Sequence, residues 1–307
     1  MIKPIFVFSG QGAQSVGMGK DLCDASTAAA AVFEQADRTM DWSVSEVCFN
    51  GPAERLTESR YCQPAIYTMS CACLAAFREK FPGVQPNGCA GLSLGEFAAL
   101  YAAGVFDFVA GLKLVARRGE LMDQACRETA GGMASVLGGD PELIRAICAE
   151  CDIDVANYNC PGQIVISGDT EKVAHAVSVL KDRGLRKVIP LNVAGAYHSR
   201  LMAEAGARLW TVLESTAMAD PQVALAQNFT GAVTTGGVSA IRRHLVSQVA
   251  GSVRWDDCVR ALLARGGDAV IEFGPGSVLT GLMRRIDGSV PTCNIGTAEQ
   301  LASFSAE

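Results

Sequence analysis

The sequence predicts an α/β fold in two parts, a larger unit on a parallel sheet and a smaller ferredoxin-like unit inserted into it. Three observations carry this. The run IFVFSGQG near the start is apolar and ends in glycines, as a buried parallel strand does. Residues 90–101 read AGLSLGEFAALY, where Gly91-Leu92-Ser93-Leu94-Gly95 fits G-x-S-x-G and a helix-forming run follows at once. That pattern is the mark of a sharp strand-to-helix turn holding a serine hydroxyl clear of the backbone. Residues 129–198 then read strand-helix-strand-strand-helix-strand, the ferredoxin-like order.

Taken in order, the first strand is followed by an alanine-rich helical stretch over 20–40. Gln63-Pro64 opens a second helical run that stops before Pro82-Gly83. A short strand near Gly88 to Gly91 leads into the Ser93 turn, and helix covers Gly95 to Ala103. Val109 to Glu128 is helical and carries Arg117 and Arg118. In the inserted unit, GGMASVLGG is a strand, PELIRAICAEC a helix, and DVANYNCPGQIVISGD two strands around a turn. EKVAHAVSVLKDRG is the second helix and LRKVIPLNVAGAYH the last strand. From Ser199 the larger unit resumes, and AVIEFGPGSVL is a strand closed by a Gly-Pro turn. The division is therefore 1–128 and 199–307 for the larger unit and 129–198 for the smaller.

Composition excludes several classes. The chain has 307 residues, 49% apolar and 19% charged, which is globular and long enough for a large core. No apolar run approaches the ~18 residues of a membrane span, and the first residues lack the long apolar region of a signal peptide. A net charge of −6 argues against nucleic acid binding through a broad basic face. Twelve cysteines without framework spacing, in a chain with no secretion signal, read as reduced cytoplasmic thiols. Cys148-Ala-Glu-Cys151 has no second pair and no nearby histidine, so buried small side chains account for it and no metal site is expected.

A serine nucleophile needs a base, and the chain offers three histidines. His175 falls on the polar face of a helix, and His244 follows Arg242-Arg243 and reads as exposed. His198 ends the last strand of the inserted unit, which suits a site. Oxyanion donors come from backbone N–H groups at glycine-rich turns and helix starts. Leu94, after the serine, is one candidate, and Gly10-Gln11-Gly12 at the end of the first strand holds another.

These pieces, with their separations, resemble the malonyl-CoA:acyl carrier protein transacylases, including the free-standing acyltransferases of polyketide assembly lines. The matching blocks run nearly end to end: FVFSGQGAQSVGMGKDL, CQPAIYTMS, GLSLGEFAALYAAGVFDF, RRGELM, NYNCPGQIVISG, GAYHSRLM, VSQVAGSVRW and EFGPGSVLTGL. The resemblance implies a large α/β-hydrolase-like subdomain with the ferredoxin-like one inserted. It implies Ser93 as the nucleophile, His198 as its general base, and the backbone amides of Gln11 and Leu94 as the oxyanion hole. Arg118 would hold the malonyl carboxylate, and the Gln248 backbone carbonyl would orient the histidine. Gln63 and Asn159 would line the pocket. Malonyl-CoA would be the donor substrate and the phosphopantetheine thiol of an acyl carrier protein the acceptor, with no cofactor and a monomeric chain. Arg183, Arg186, Lys187, Arg284 and Arg285 are candidate contacts for an acidic carrier protein, although as residues alone they read more readily as solvated faces.

One position departs from the pattern. Most members of the family it resembles carry histidine where this chain has Leu92, and a leucine makes the wall beside the serine more apolar. The leucine and the GAYH segment, Gly195 to His198, resemble the discrete malonyl-selective polyketide acyltransferases. A proofreading acyl hydrolase acting on carrier proteins is the competing expectation, and Arg118 argues against it.

Overall fold

In the computed structural model, which describes residues 2–305, the strands fall into two sheets. They are β1 (Pro4–Phe8), β2 (Gly88–Gly91), β3 (Gly131–Leu137), β4 (Asp154–Cys160), β5 (Gln163–Asp169), β6 (Lys187–Pro190), β7 (Ala224–Gln227), β8 (Ala232–Val233), β9 (Val253–Arg254), β10 (Ala269–Phe273) and β11 (Thr292–Ile295). The larger sheet has the order β11-β10-β1-β2-β7-β8. Every pairing in it is parallel except β7 with β8 at the edge. β1 and β10 are neighbouring inner strands and are buried throughout, which is why both read as apolar runs rather than alternating ones. The exception is Glu272 in β10, whose carboxylate turns back to accept the N–H groups of Leu279 and Thr280 at the start of the helix Val278–Ile286.

The smaller sheet has the order β6-β3-β5-β4-β9. Its first four strands are antiparallel and follow the ferredoxin-like arrangement, with the helices Pro141–Glu150 and Thr170–Asp182 between them. β5 alternates as a half-covered strand should: Ile164 and Ile166 enter the core under the two helices, and Gln163 and Val165 face the other way, into a cavity. Cys148 and Cys151 pack in that same helix-covered core, as small buried side chains. β9 comes from late in the chain and pairs in parallel with β4, tying the two units together by backbone as well as by packing.

Two expectations are corrected. The long helix starts at Ser59, not at Gln63-Pro64, and Pro64 lies within Ser59–Lys80. Its first N–H groups are satisfied from outside, since the Asp123 carboxylate accepts from Ser59 N–H at 3.0 Å and Arg60 N–H at 3.3 Å. A cap supplied from the helix Phe108–Glu128 leaves no local signal. The last strand of the inserted unit ends at Pro190, so His198 does not sit at a strand end. Residues 191–199 form a loop in which Leu191 and Val193 are each 36% exposed, and their apolar spacing mimics a strand.

Candidate functional site

The serine turn is built by steric necessity. β2 delivers Ser93 into a left-handed conformation, φ 54°, before the helix Gly95–Ala102 begins. A non-glycine residue rarely takes that conformation, which points its side chain out of the turn. The turn is so tight that a Cβ at Gly91 would lie 2.0 Å from the Gly95 carbonyl, and one at Gly95 would lie 2.1 Å from Phe8 O. Both glycines of G-x-S-x-G are thus required by space. Asn228 braces the turn: its Oδ1 accepts the Ser93 N–H at 2.6 Å and its Nδ2 donates to Gly91 O at 2.8 Å.

Ser93 Oγ lies 2.7 Å from His198 Nε2. His198 is itself left-handed, φ 57°, so both members of the pair hold unusual backbone. Its Nδ1 is 2.8 Å from the Gln248 backbone carbonyl. A carbonyl accepts only, so Nδ1 carries the proton and Nε2 presents its lone pair to the serine hydroxyl. Burial, with Arg118 nearby, pulls the His198 pKa down to about 4. The imidazole is therefore neutral and ready to take a proton at ordinary pH.

Arg118 reaches the same oxygen. Its Nη2 donates to Ser93 Oγ at 3.0 Å and to Gln248 Oε1 at 3.0 Å, and its Nη1 donates to Gln63 Oε1 at 2.7 Å. The residue is 1% exposed, and burial lowers its pKa to about 10, still charged at neutral pH. It makes no ion pair among the described residues, and its Nε is buried without a partner. The oxygens it touches are all neutral, so no carboxylate meets the guanidinium directly among the described residues, and buried Glu96 acts on it only at a distance, through Gln248.

These groups open onto a cavity of about 580 Å³ between the two sheets. Gln11, Gln63, Leu92, Ser93, Arg118, Asn159 and His198 all line it. Asn159 Oδ1 is buried there with no partner. Among the described residues, no protein group accepts from the backbone N–H of Gln11 or of Leu94, which leaves both free to donate. The Gln11 side chain is held by Ser59 Oγ, 3.2 Å away, and Ser59 Oγ is 2.9 Å from the Tyr197 hydroxyl. Two nearby N–H donors and a base on a serine are the parts that acyl transfer uses.

The structure thus brings Gln11, Gln63, Leu92, Ser93, Leu94, Arg118, Asn159, His198 and Gln248 together at one place, with His175 exposed and apart. His244 is not exposed as expected: it is half-buried, and its Nδ1 lies 2.8 Å from Gln227 Oε1. Two polar residues went unread. Asn228, in AQNFTGA, has no signature that marks it. Glu96 had one, being the lone charge in the buried apolar helix GEFAALYA.

With this geometry in view, comparison with known proteins is decisive for kinship. The acyl transferase domain family matches residues 5–295. The malonyl CoA-acyl carrier protein transacylase of Bacillus subtilis (strain 168) is 38% identical over 98% of this chain and 96% of that protein. The malonyl-CoA:acyl carrier protein transacylase structure from Xanthomonas oryzae pv. oryzae superposes with a TM-score of 0.93 at 36% identity, covering 98% of both chains. A malonyl-transacylase solved in complex with a type II PKS acyl-carrier protein gives 0.94 at 34% identity, again covering 98% of both. Serine turn, neutral histidine, buried arginine and end-to-end likeness lead to one placement: the chain belongs to the acyl transferase domain family, among its malonyl-CoA:acyl carrier protein transacylases.

Proposed function

We propose that this chain moves a malonyl group from malonyl-CoA to the phosphopantetheine thiol of an acyl carrier protein, through an ester on Ser93. The observation that carries the reading is Arg118, a buried guanidinium with no ion pair among the described residues, 3.0 Å from the serine oxygen and facing the cavity. A malonyl group placed on Ser93 brings its free carboxylate close to that guanidinium. A charge-assisted pair of this kind contributes roughly 1.5–3 kcal/mol, enough to favour malonyl over acetyl by tens-fold.

The steps follow from the hydrogen bonds. Ser93 Oγ attacks the thioester carbonyl carbon while its proton passes to His198 Nε2. The Gln11 and Leu94 N–H groups stabilise the oxyanion, and the Gln248 carbonyl steadies the imidazolium through Nδ1–H. Collapse breaks the C–S bond, and His198 returns the proton to the departing coenzyme A sulfur. The carrier thiol then gives its proton to His198, its sulfur attacks the ester, and Ser93 recovers the proton as the acyl group leaves. Each step is a proton transfer or an addition at a carbonyl, so the reaction as written calls for no cofactor. Leu92, Gln63 and Asn159 shape the pocket around the acyl group. Arg186, Lys187 and Arg284 are exposed and without ion pairs among the described residues, which suits an acidic carrier protein.

The same proposal covers setting and form. The carrier would serve polyketide or fatty acid synthesis. Twelve unpaired cysteines support a cytoplasmic location, and no helix among the described residues is long and apolar enough to cross a membrane. We read the chain as a monomer, divided into 1–128 with 199–307 and 129–198, with the smaller part's sheet taking its edge strand β9 from the larger part.

Intact-protein mass after brief mixing with malonyl-CoA tests the reading. The account expects a malonyl adduct on wild type, none on Ser93→Ala, and discharge onto a holo carrier protein. Adducts from monoacyl donors that decay to water with the carrier present would replace it with the hydrolase reading.

A further inference from the structure

Beneath the three groups that the proposed reaction uses lies a carboxylate that touches none of them. Glu96 stands in the first turn of the helix Gly95–Ala102 and is 0% exposed. Its Oε2 accepts the Asn228 backbone N–H at 2.9 Å and the Gln248 side-chain amide at 2.9 Å. Its Oε1 accepts the Gln227 side-chain amide at 3.0 Å. All three partners are N–H donors, and none could accept a carboxyl proton. Burial pushes the Glu96 carboxyl above the usual carboxylate range, while the three donors and then Arg118 pull it back toward the anion that an all-donor set fits.

Two of those donors hold the reactive groups. Gln248, tethered by Nε2, offers its backbone carbonyl to His198 and its Oε1 to Arg118, and Nε2 also donates to Ser93 O at 2.9 Å. Asn228, tethered by its backbone N–H, braces Ser93 and Gly91 with its side chain. One buried carboxylate therefore sets the serine turn, the base and the guanidinium from a single point. The third donor, Gln227, contacts Glu96, His244 and Thr234 and none of the reactive groups.

We propose that Glu96 is a positioning residue whose buried negative charge holds Ser93, His198 and Arg118 in one frame, a role that rests on the malonyl transfer proposed above. Glu96→Gln keeps the size but turns an amide NH₂ toward groups that themselves donate. Glu96→Asp keeps the charge one methylene short. Gln227→Leu removes a donor that leads to no reactive group.

The test measures acylation of Ser93 by malonyl-CoA and, separately, by p-nitrophenyl acetate, which has no carboxylate, on variants whose melting temperatures are recorded. Glu96→Gln is expected to slow both acylations by about 100-fold, Glu96→Asp to recover about tenfold of that loss, and Gln227→Leu to stay within about threefold of wild type. A folded Glu96→Gln that acylates at the wild-type rate overturns the proposal. So does a loss that only tracks the unfolded fraction, or one confined to malonyl-CoA, which would reduce Glu96 to a charge partner of Arg118. Should Glu96→Gln not fold, Glu96→Asp decides: a slowed rate at an unchanged melting temperature supports the role, and a wild-type rate ends it. If wild type reacts with p-nitrophenyl acetate but takes no malonyl group, malonyl transfer fails while the ester still reads out Glu96.

Discussion

Two arginines gather polar partners close to His198, and they do so in opposite surroundings. Arg200, two residues along the chain, is exposed and pairs with the carboxylates of Asp152 and Asp154, at 2.8 Å for its Nη2 and Asp154. Lys172 joins the same cluster through Asp152. Arg118 is buried and meets no carboxylate, only the oxygens of Ser93, Gln63 and Gln248. Arg200 is the better satisfied, since its acceptors are carboxylates. An exposed cation paired with carboxylates holds a loop in place, whereas a buried one that touches only neutral oxygens keeps its guanidinium open to a ligand carboxylate. Desolvation makes the second costly to keep, and solvent screens most of what the first gains.

Variants at the two ends of this comparison should differ by orders of magnitude. His198→Ala, which removes the group that Arg118 and Ser93 surround, is expected to cut kcat by about 1,000-fold or more in a carrier-protein transfer assay. Residual activity near wild type would mean that the proton goes elsewhere.

The pH profile comes next. With its pKa drawn down to about 4, His198 stays neutral where an ordinary histidine would be charging. The kcat/KM for malonyl transfer should hold steady through pH 6.5 and fall only as pH approaches 4. An acid limb centred near 6.5 would contradict the burial argument. Stability carries the same sign. Above pH 6.5 the group is neutral folded or unfolded, and between 6.5 and 4 the unfolded chain binds the proton that the folded chain refuses. The His198 contribution is therefore lost as pH falls through that window.

Arg200→Ala sits at the small end. Its pairs are exposed, and transfer activity should remain within about twofold of wild type. A loss comparable to that of His198→Ala would erase the distinction between the two arginines.

What could be read from the sequence follows the same division between local and distant causes. Ser93 was legible because its two glycines are forced by contacts within and beside one turn. The order of strands and helices in the smaller unit was legible because each element carries its own periodicity. The start of the long helix was not, since its cap is Asp123, 64 residues away. Nor was the end of the strand before His198, because Leu191 and Val193 keep a strand-like spacing while facing the cavity. Asn228 and Glu96 meet only across 132 residues, and no local pattern announces such a contact.

The most direct test of the account is a competition. Wild type and Arg118→Ala are mixed with equal amounts of malonyl-CoA and acetyl-CoA, quenched early, and the two Ser93 esters weighed by mass. The account predicts that wild type carries malonyl in excess by tens-fold and that Arg118→Ala loses most of that preference while still forming ester. An unchanged preference in Arg118→Ala would show that the buried guanidinium does not read the carboxylate.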